Sequence, residues 1–191
     1  MDEFLGVAYL FLPLLGGAVS HGLCIKFDWL SLLKCPIDWG RTLQGRPIFG
    51  PNKTFRGIVA VALGSALVLG LQQDVLHRLS ALRQIELFDY SAVNGWLLGL
   101  ALGAAAMLAE LPNSFLKRRL GIPSGKEAAG ILRFVFFFLD QIDVLLGGWL
   151  IFAAVVYVTP LRIGISIAII FIMHNLVTVV GYGLGMRKTA R

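Results

Sequence analysis

Apolar residues fall in five blocks, 4–19, 57–71, 96–108, 144–158 and 163–173, separated by polar and charged sequence. Each block is close to membrane-spanning length, and several reach about 20 residues once weakly polar flanks are added. The pattern predicts an all-α integral membrane protein with five transmembrane helices and two long loops on the same side. We read residues 1–191 as a single membrane-embedded domain. The chain opens on Asp2 and Glu3 rather than on basic residues, and further spans follow, so a secretory signal is a poor reading of its start.

Within the spans, small residues mark tight contacts. Gly16 and Gly17 accompany Pro13 in the first, and Gly57, Gly64 and Gly70 punctuate the second. Gly95, Gly99 and Gly103 form a stripe at intervals of four in the third, which permits close backbone packing within one chain or between two copies as a homodimer. Between the second and third spans, residues 72–90 carry Leu76, Leu79, Leu82, Ile85 and Phe88 at helical spacing among charges. That spacing predicts an amphipathic segment lying on the membrane surface.

Composition excludes an ordinary soluble domain: 57% of residues are hydrophobic and 15% charged. The charges also set an orientation. Lys26, Lys34, Arg41, Arg46, Lys53 and Arg56 lie between the first two spans. Lys117, Arg118, Arg119, Lys126 and Arg133 follow the third, and Arg187, Lys188 and Arg191 close the chain. Only Arg78, Arg83 and Arg162 fall on the other side. Fourteen bases against three predict a multi-pass plasma-membrane protein with its N-terminus outside and its C-terminus cytoplasmic. Basic loops beside a membrane account for the net charge of +6 without nucleic acid. Membrane lipid headgroups and a nucleotide or phosphate substrate are natural partners for them. Cys24 and Cys35 are too few for a metal site and sit where a stable disulfide is not expected.

The candidate chemistry lies in loops 26–56 and 110–143, predicted to form one cytoplasmic face. Asp140 and Asp143 are three apart and share one side of a helix. Two such carboxylates repel unless a proton or cation lies between them. The apolar run 134–139 leads straight into them, so the fourth span is expected to begin near the pair. A divalent metal is the economical reading, and a salt bridge to the nearby bases is the alternative. In the first loop, Pro36, Gly40, Gly45, Pro47, Gly50 and Pro51 leave no room for a useful helix before Asn52. Asn52 is expected to cap a helix from Lys53, whose first turn, with Thr54 and Arg56, suits a phosphate. The loop lacks the spacing of a P-loop. Pro112 is expected to start a new helix or kink the third span.

Three stretches carry a resemblance. PIDWGRTLQGRPIFGPNKTFRG resembles the first cytoplasmic signature of the archaeal CDP-archaeol synthase family. SFLKRRLGIPSG with LDQID resembles the second, which is also similar to that of phosphatidate cytidylyltransferases, and HN…Y.LG resembles the closing segment. The resemblance implies a five-span enzyme that transfers CMP from CTP to an isoprenoid ether lipid phosphate, releases pyrophosphate and needs Mg²⁺. It implies that Asp140, Asp143 and Glu110 hold Mg²⁺, that Lys117 and Arg118 bind the triphosphate, and that Lys53 and Arg56 meet phosphate from the other loop. Asp38, Asn52 and Ser114 fall in the same signatures, Asp38 orienting a base or capping the loop. One departure stands out: Ala109-Glu110 replaces the Gly-Asp usual four residues before the signature serine. It keeps open a catalytically weak membrane scaffold of the same fold. A transporter is a further alternative, favoured by the polar residues His174, Asn175 and Thr178 in the fifth span.

Overall fold

The computed structural model describes residues 2–183. The closing bases Arg187, Lys188 and Arg191 lie outside the described residues. Five helices are long and apolar enough to cross a membrane. They are α1 (Glu3–Lys26), α2 (Phe55–Asp74), α4 (Gly95–Arg119), α5 (Ile131–Phe152) and α6 (Pro160–Gly183). A single turn, α3 (Ser80–Arg83), sits between α2 and α4. The spans alternate in direction up to α5, and the short turn at 153–159 returns α6. One end of the bundle therefore carries both long loops, and the other carries the N-terminus and α3.

Local sequence sets the helix ends. Asp2 caps α1 by accepting from the Phe4 and Leu5 amides. Asn94 caps α4 through the Leu97 amide. The cap of α2 is Thr54, which accepts from Gly57 N–H, and not the expected Asn52. Thr54 has the extended backbone a cap needs, and Asn52 is left two residues upstream to face elsewhere. Pro112 neither ends α4 nor starts a new helix, because α4 runs unbroken to Arg119. Helix α5 begins at Ile131, not near Asp140, so both aspartates lie well inside a span. The apolar run 134–139 is thus helix rather than an approach to one.

The glycine stripe of α4 is used within the chain. A Cβ on Gly99 would lie 2.5 Å from the Ala66 Cα, and one on Gly103 2.6 Å from the Ala62 Cα. A Cβ on Gly147 of α5 would lie equally close to α4, 2.6 Å from the Ala106 Cα. Helix α4 is therefore held between α2 and α5 at a separation only small residues allow. Away from the loops, Phe11 of α1 meets Trp149 and Phe152 edge-on, with ring centroids 5.9 and 5.5 Å apart. Val7, Leu10, Leu69, Leu102 and Ile169 complete this core.

Residues 75–94 turn an apolar side onto the bundle. Leu82, Ile85, Leu87 and Phe88 pack onto the core, and Tyr90, 1% exposed, stacks on Phe88. Gln73 donates to the Tyr90 and Val93 carbonyls, at 2.7 and 2.6 Å, and holds the cap to the end of α2. Amphipathic spacing marks an apolar face without saying what it covers; here it covers the bundle's own end.

Candidate active site

The first loop is built around Asp38. Its carboxylate accepts N–H bonds from Gly40 at 3.0 Å, Phe49 at 2.8 Å and Gly50 at 3.0 Å. Burial pushes its pKa up, but the Gly50, Phe49 and Gly40 donors together outweigh that and hold it below the ordinary carboxylate value. Inside this clasp, β1 (Thr42–Leu43) and β2 (Arg46–Pro47) form a hairpin, with Leu43 opposite Arg46. Gln44 and Gly45 at its tip both have positive φ, as a two-residue hairpin turn requires. Asp38 thus organises the loop and is not among the residues lining the site.

The second loop locks onto the first. Arg119, the last residue of α4, donates to the Leu43, Arg46 and Pro47 carbonyls, and Arg46 donates back to the Arg119 carbonyl. Gly50, with φ of +98°, adopts a backbone conformation that residues with side chains rarely take, and it passes close to the Ser124 hydroxyl. These contacts hold two loops far apart in sequence as one face over the ends of α2, α4 and α5.

Beneath that face is a polar chamber of about 490 Å³. Glu110, Ser114, Lys117 and Arg118 of α4 line it at helical spacing, along with Asp140 and Asp143 of α5 and Asn52, Lys53 and Lys126 of the loops. The structure therefore brings together all but two of the expected residues. Arg56 turns away to Asp28, 2.9 Å from its carboxylate, and Asp38 serves the loop. Lys34 shares Asp28, and Lys34 first and Arg56 second hold that carboxyl below its usual range.

The two aspartates of the chamber are bridged by a residue that the sequence pattern did not single out and that does not itself line the space. Asn113, 7% exposed, donates one amide nitrogen to Asp140 Oδ1 and Asp143 Oδ2, both at 2.7 Å. Lys117 Nζ also reaches Asp140 Oδ1, at 2.5 Å. Asn113 stands three residues after Glu110 and four before Lys117, a spacing that put it on the site's face. Its carbonyl oxygen is buried and has no hydrogen-bond partner. Two carboxylates and an amide oxygen are hard ligands of the kind Mg²⁺ takes, and Mg²⁺ is commonly held by one or two carboxylates plus substrate phosphates and water. The residues present fit that ion. Among the described residues, no three acidic, histidine or cysteine side chains converge as a complete metal cage. Glu110 instead forms an ion pair with Lys53, joining α4 to the first loop.

Arg118, 8% exposed, donates to the Ile122 carbonyl and keeps its Nε buried without a partner. The chamber's lining thus mixes Lys53, Lys117, Arg118 and Lys126 with Glu110, Asp140 and Asp143, Lys53 paired with Glu110 and Lys117 with Asp140. Cations and acids gathered in one space suit a polyanion that carries a divalent ion.

The chain is similar to known proteins. Residues 29–190 match the family model described as CarS-like, CDP-archaeol synthase. The CDP-archaeol synthase of Methanococcoides burtonii is 32% identical over 163 residues, covering 80% of this chain and 88% of that one. That of Pyrobaculum aerophilum is 30% identical over 154 residues, covering 80% of each. A solved structure described as "Structural insight into an intramembrane enzyme for archaeal membrane lipids biosynthesis" superposes with a TM-score of 0.58 at 24% identity. It covers 87% of this chain and 88% of its own, and establishes likeness of fold.

Proposed function

Because the chain belongs to the CDP-archaeol synthase family, we propose that it transfers CMP from CTP to an archaeol-like or phosphatidate-like lipid phosphate. The observation that carries this reading is the Asn113-bridged pair Asp140 and Asp143 facing Lys53, Lys117, Arg118 and Lys126 in one chamber. In the reaction an oxygen of the lipid phosphate bonds to the α-phosphorus of CTP. The bond from that phosphorus to the bridging oxygen of the β-phosphate breaks, and pyrophosphate leaves with the electron pair. Both reactants are anions, so the cationic side chains lower their repulsion and stabilise charge on the leaving group. Lys117 and Arg118 bind the triphosphate, Lys53 meets phosphate from the first loop, and Asn52 and Ser114 supply polar contacts at the chamber wall. Asp140 and Asp143 would hold Mg²⁺, with the Asn113 carbonyl as a further oxygen donor, and the bound ion would supply charge neutralisation at phosphate. Glu110 sits at the same site and orients Lys53. The loop end faces the cytoplasm, where CTP is found, and the N-terminus faces outside.

The Glu110–Lys53 pair favours a second reading, a catalytically weak scaffold of the same fold, because it engages an acid and a cation that catalysis would use. Radiolabelled CTP, Mg²⁺ and either an archaeol-type or a diacyl lipid phosphate decide between them. Labelled CDP-lipid from the purified wild-type chain is the expected result. CTP binding with no product on either lipid would favour the scaffold.

A further inference from the structure

Helix α1 ends at Lys26 after 24 residues. That is about 36 Å of helix, enough to cross the hydrocarbon layer and leave Lys26 at its loop-side boundary. Residues 27–33 neither continue α1 nor join the core, and none of them is buried. Asp28 and Leu30 both take positive φ, +53° each, and Ser31–Leu33 form a single 3₁₀ turn. Left-handed backbone is disfavoured at residues with a Cβ, yet two of them occur within three positions here. The turn they build presents apolar side chains outward. Trp29 is 56% exposed and Leu32 96%, with Phe27 and Leu30 also open. Phe27 and Trp29 stack with ring centroids 5.4 Å apart, and Lys26 Nζ lies 5.5 Å from the Phe27 centroid. Bases gather on the same segment. Lys34 closes it onto Asp28, and Arg56, from the first turn of α2, reaches the same carboxylate at 2.9 Å. Beyond Lys34 the chain runs beside 53–55. The Ile37 N–H donates to the Lys53 carbonyl at 2.8 Å, and the Phe55 N–H donates to the Cys35 carbonyl at 3.1 Å. Arg56 and these two bonds fasten the segment to the stretch that supplies Lys53 to the chamber.

We infer that residues 26–34 are an anchor seated in the headgroup layer of the loop-side leaflet, on anionic lipid, and that this seat steadies the stretch carrying Lys53. Phe27, Trp29 and Leu32 lie at the edge of the acyl chains, and Lys26 and Lys34 reach the headgroups. The segment starts where α1 leaves the hydrocarbon layer, so the bilayer surface is the phase that borders it. Aromatic and leucine side chains beside lysines suit that depth, because the rings tolerate a boundary with one apolar and one wet side. Lysine stems lie along the apolar part while their ammonium groups extend to phosphate oxygens. Lys26, Lys34 and Arg56 set three bases against the single acid Asp28, a balance that matches an anionic leaflet. A partner in the aqueous phase would have to reach a patch lying level with the membrane.

In a chain freed of its own cysteines, a nitroxide on Leu32→Cys reports the depth of the segment in nanodiscs containing anionic lipid. Oxygen should relax it and a water-soluble nickel chelate should not. The same label on Gly45→Cys, at the hairpin tip, should be open to the chelate. Equal access of the chelate to both positions would overturn the anchor. Shielding at 32 that appears only as protein concentration rises in detergent would overturn it too, and assign the patch to a second copy. The ratio of anionic to zwitterionic lipid retained by the purified chain, read by native mass spectrometry, tests the headgroup contact. It should fall about fivefold or more when Lys26→Gln and Lys34→Gln are combined, and an unchanged ratio would remove that contact. Hydrogen exchange reads the fastening to Lys53. The Ile37 and Phe55 amides should exchange severalfold more slowly in anionic than in zwitterionic nanodiscs, and equal exchange would break the link between the anchor and the chamber. None of these measurements needs turnover, so their outcome is separate from whether the chain transfers CMP.

Discussion

At the scale of single residues, Asn113 is what allows two carboxylates to sit together inside a span. Replacing it with Leu removes the shared donor and leaves Asp140 and Asp143 facing each other. Loss of a buried partner costs about 1–3 kcal/mol, or a fall in Tm of about 2–12 °C for a chain of this size. Thermal unfolding in detergent checks this, and an unchanged Tm would show that the bridge is dispensable. Asp38 carries a different expectation. Its folded pKa lies below the ordinary value, so its contribution to loop stability is complete above about pH 4 and is lost as pH falls through the lowered value. Proteolytic cleavage in residues 39–49 should therefore rise on acidification in the wild type. Asp38→Asn should be cleaved readily at neutral pH and show no such step. Glu110→Asp shortens the side chain away from Lys53 and restores the residue usual in the family. Higher Mg²⁺-dependent transfer would show that this chain has drifted from the common site, and lower transfer would show that Lys53 depends on the longer acid. The shared faces of Ser114, Lys117 and Arg118, and of Asp140 and Asp143, were legible in the sequence because their spacing is short and helical. For Asp38, capping the loop was one of two expected roles and is the one seen, although two of its donors lie 11 and 12 residues ahead, across a hairpin. Arg56 was misplaced because its partner Asp28 lies 28 residues back.

Among the elements, the packing of α4 decides where the site can form. Gly99 and Gly103 bring α4 against the backbone of α2, and Gly147 brings α5 against α4, which sets Asn113 opposite Asp140 and Asp143. Gly103→Leu forces α2 and α4 apart, a change that costs roughly 1–3 kcal/mol or more in a packed interior. Its Tm should fall, and CTP binding should weaken although position 103 is outside the chamber. Retained CTP affinity with a lowered Tm would separate helix spacing from site formation. The existence of the spans was readable from the apolar blocks within them. Their ends were less so. The start of α5 was expected at the aspartates because charge usually marks a membrane boundary, whereas here Asn113 and Lys117 accommodate that charge inside the helix bundle. Residues 75–94 were misread because an amphipathic turn looks alike whether its apolar side meets lipid or protein.

Over the whole molecule, the arrangement joins a cationic face made of two distant loops to acids held within the bundle. In a chain freed of its own cysteines, Gly45→Cys and Gly125→Cys should both be labelled by a membrane-impermeant thiol reagent from the cytoplasmic side only. Labelling from opposite sides would break the shared face. The account depends most directly on Asp140 and Asp143 acting together on a metal-bound nucleotide, and not merely neutralising Lys117. Asn substitutions retain size and hydrogen bonding while removing charge, so Mg²⁺-dependent transfer of label from CTP to lipid phosphate, measured beside Tm, separates the two roles. Asp140→Asn and Asp143→Asn should each keep a Tm near that of the wild type and lose nearly all transfer. Normal Mg²⁺-dependent transfer in either variant, or a loss of stability of several kcal/mol, as roughly expected for a broken buried ion pair, with turnover per folded molecule intact, would contradict it.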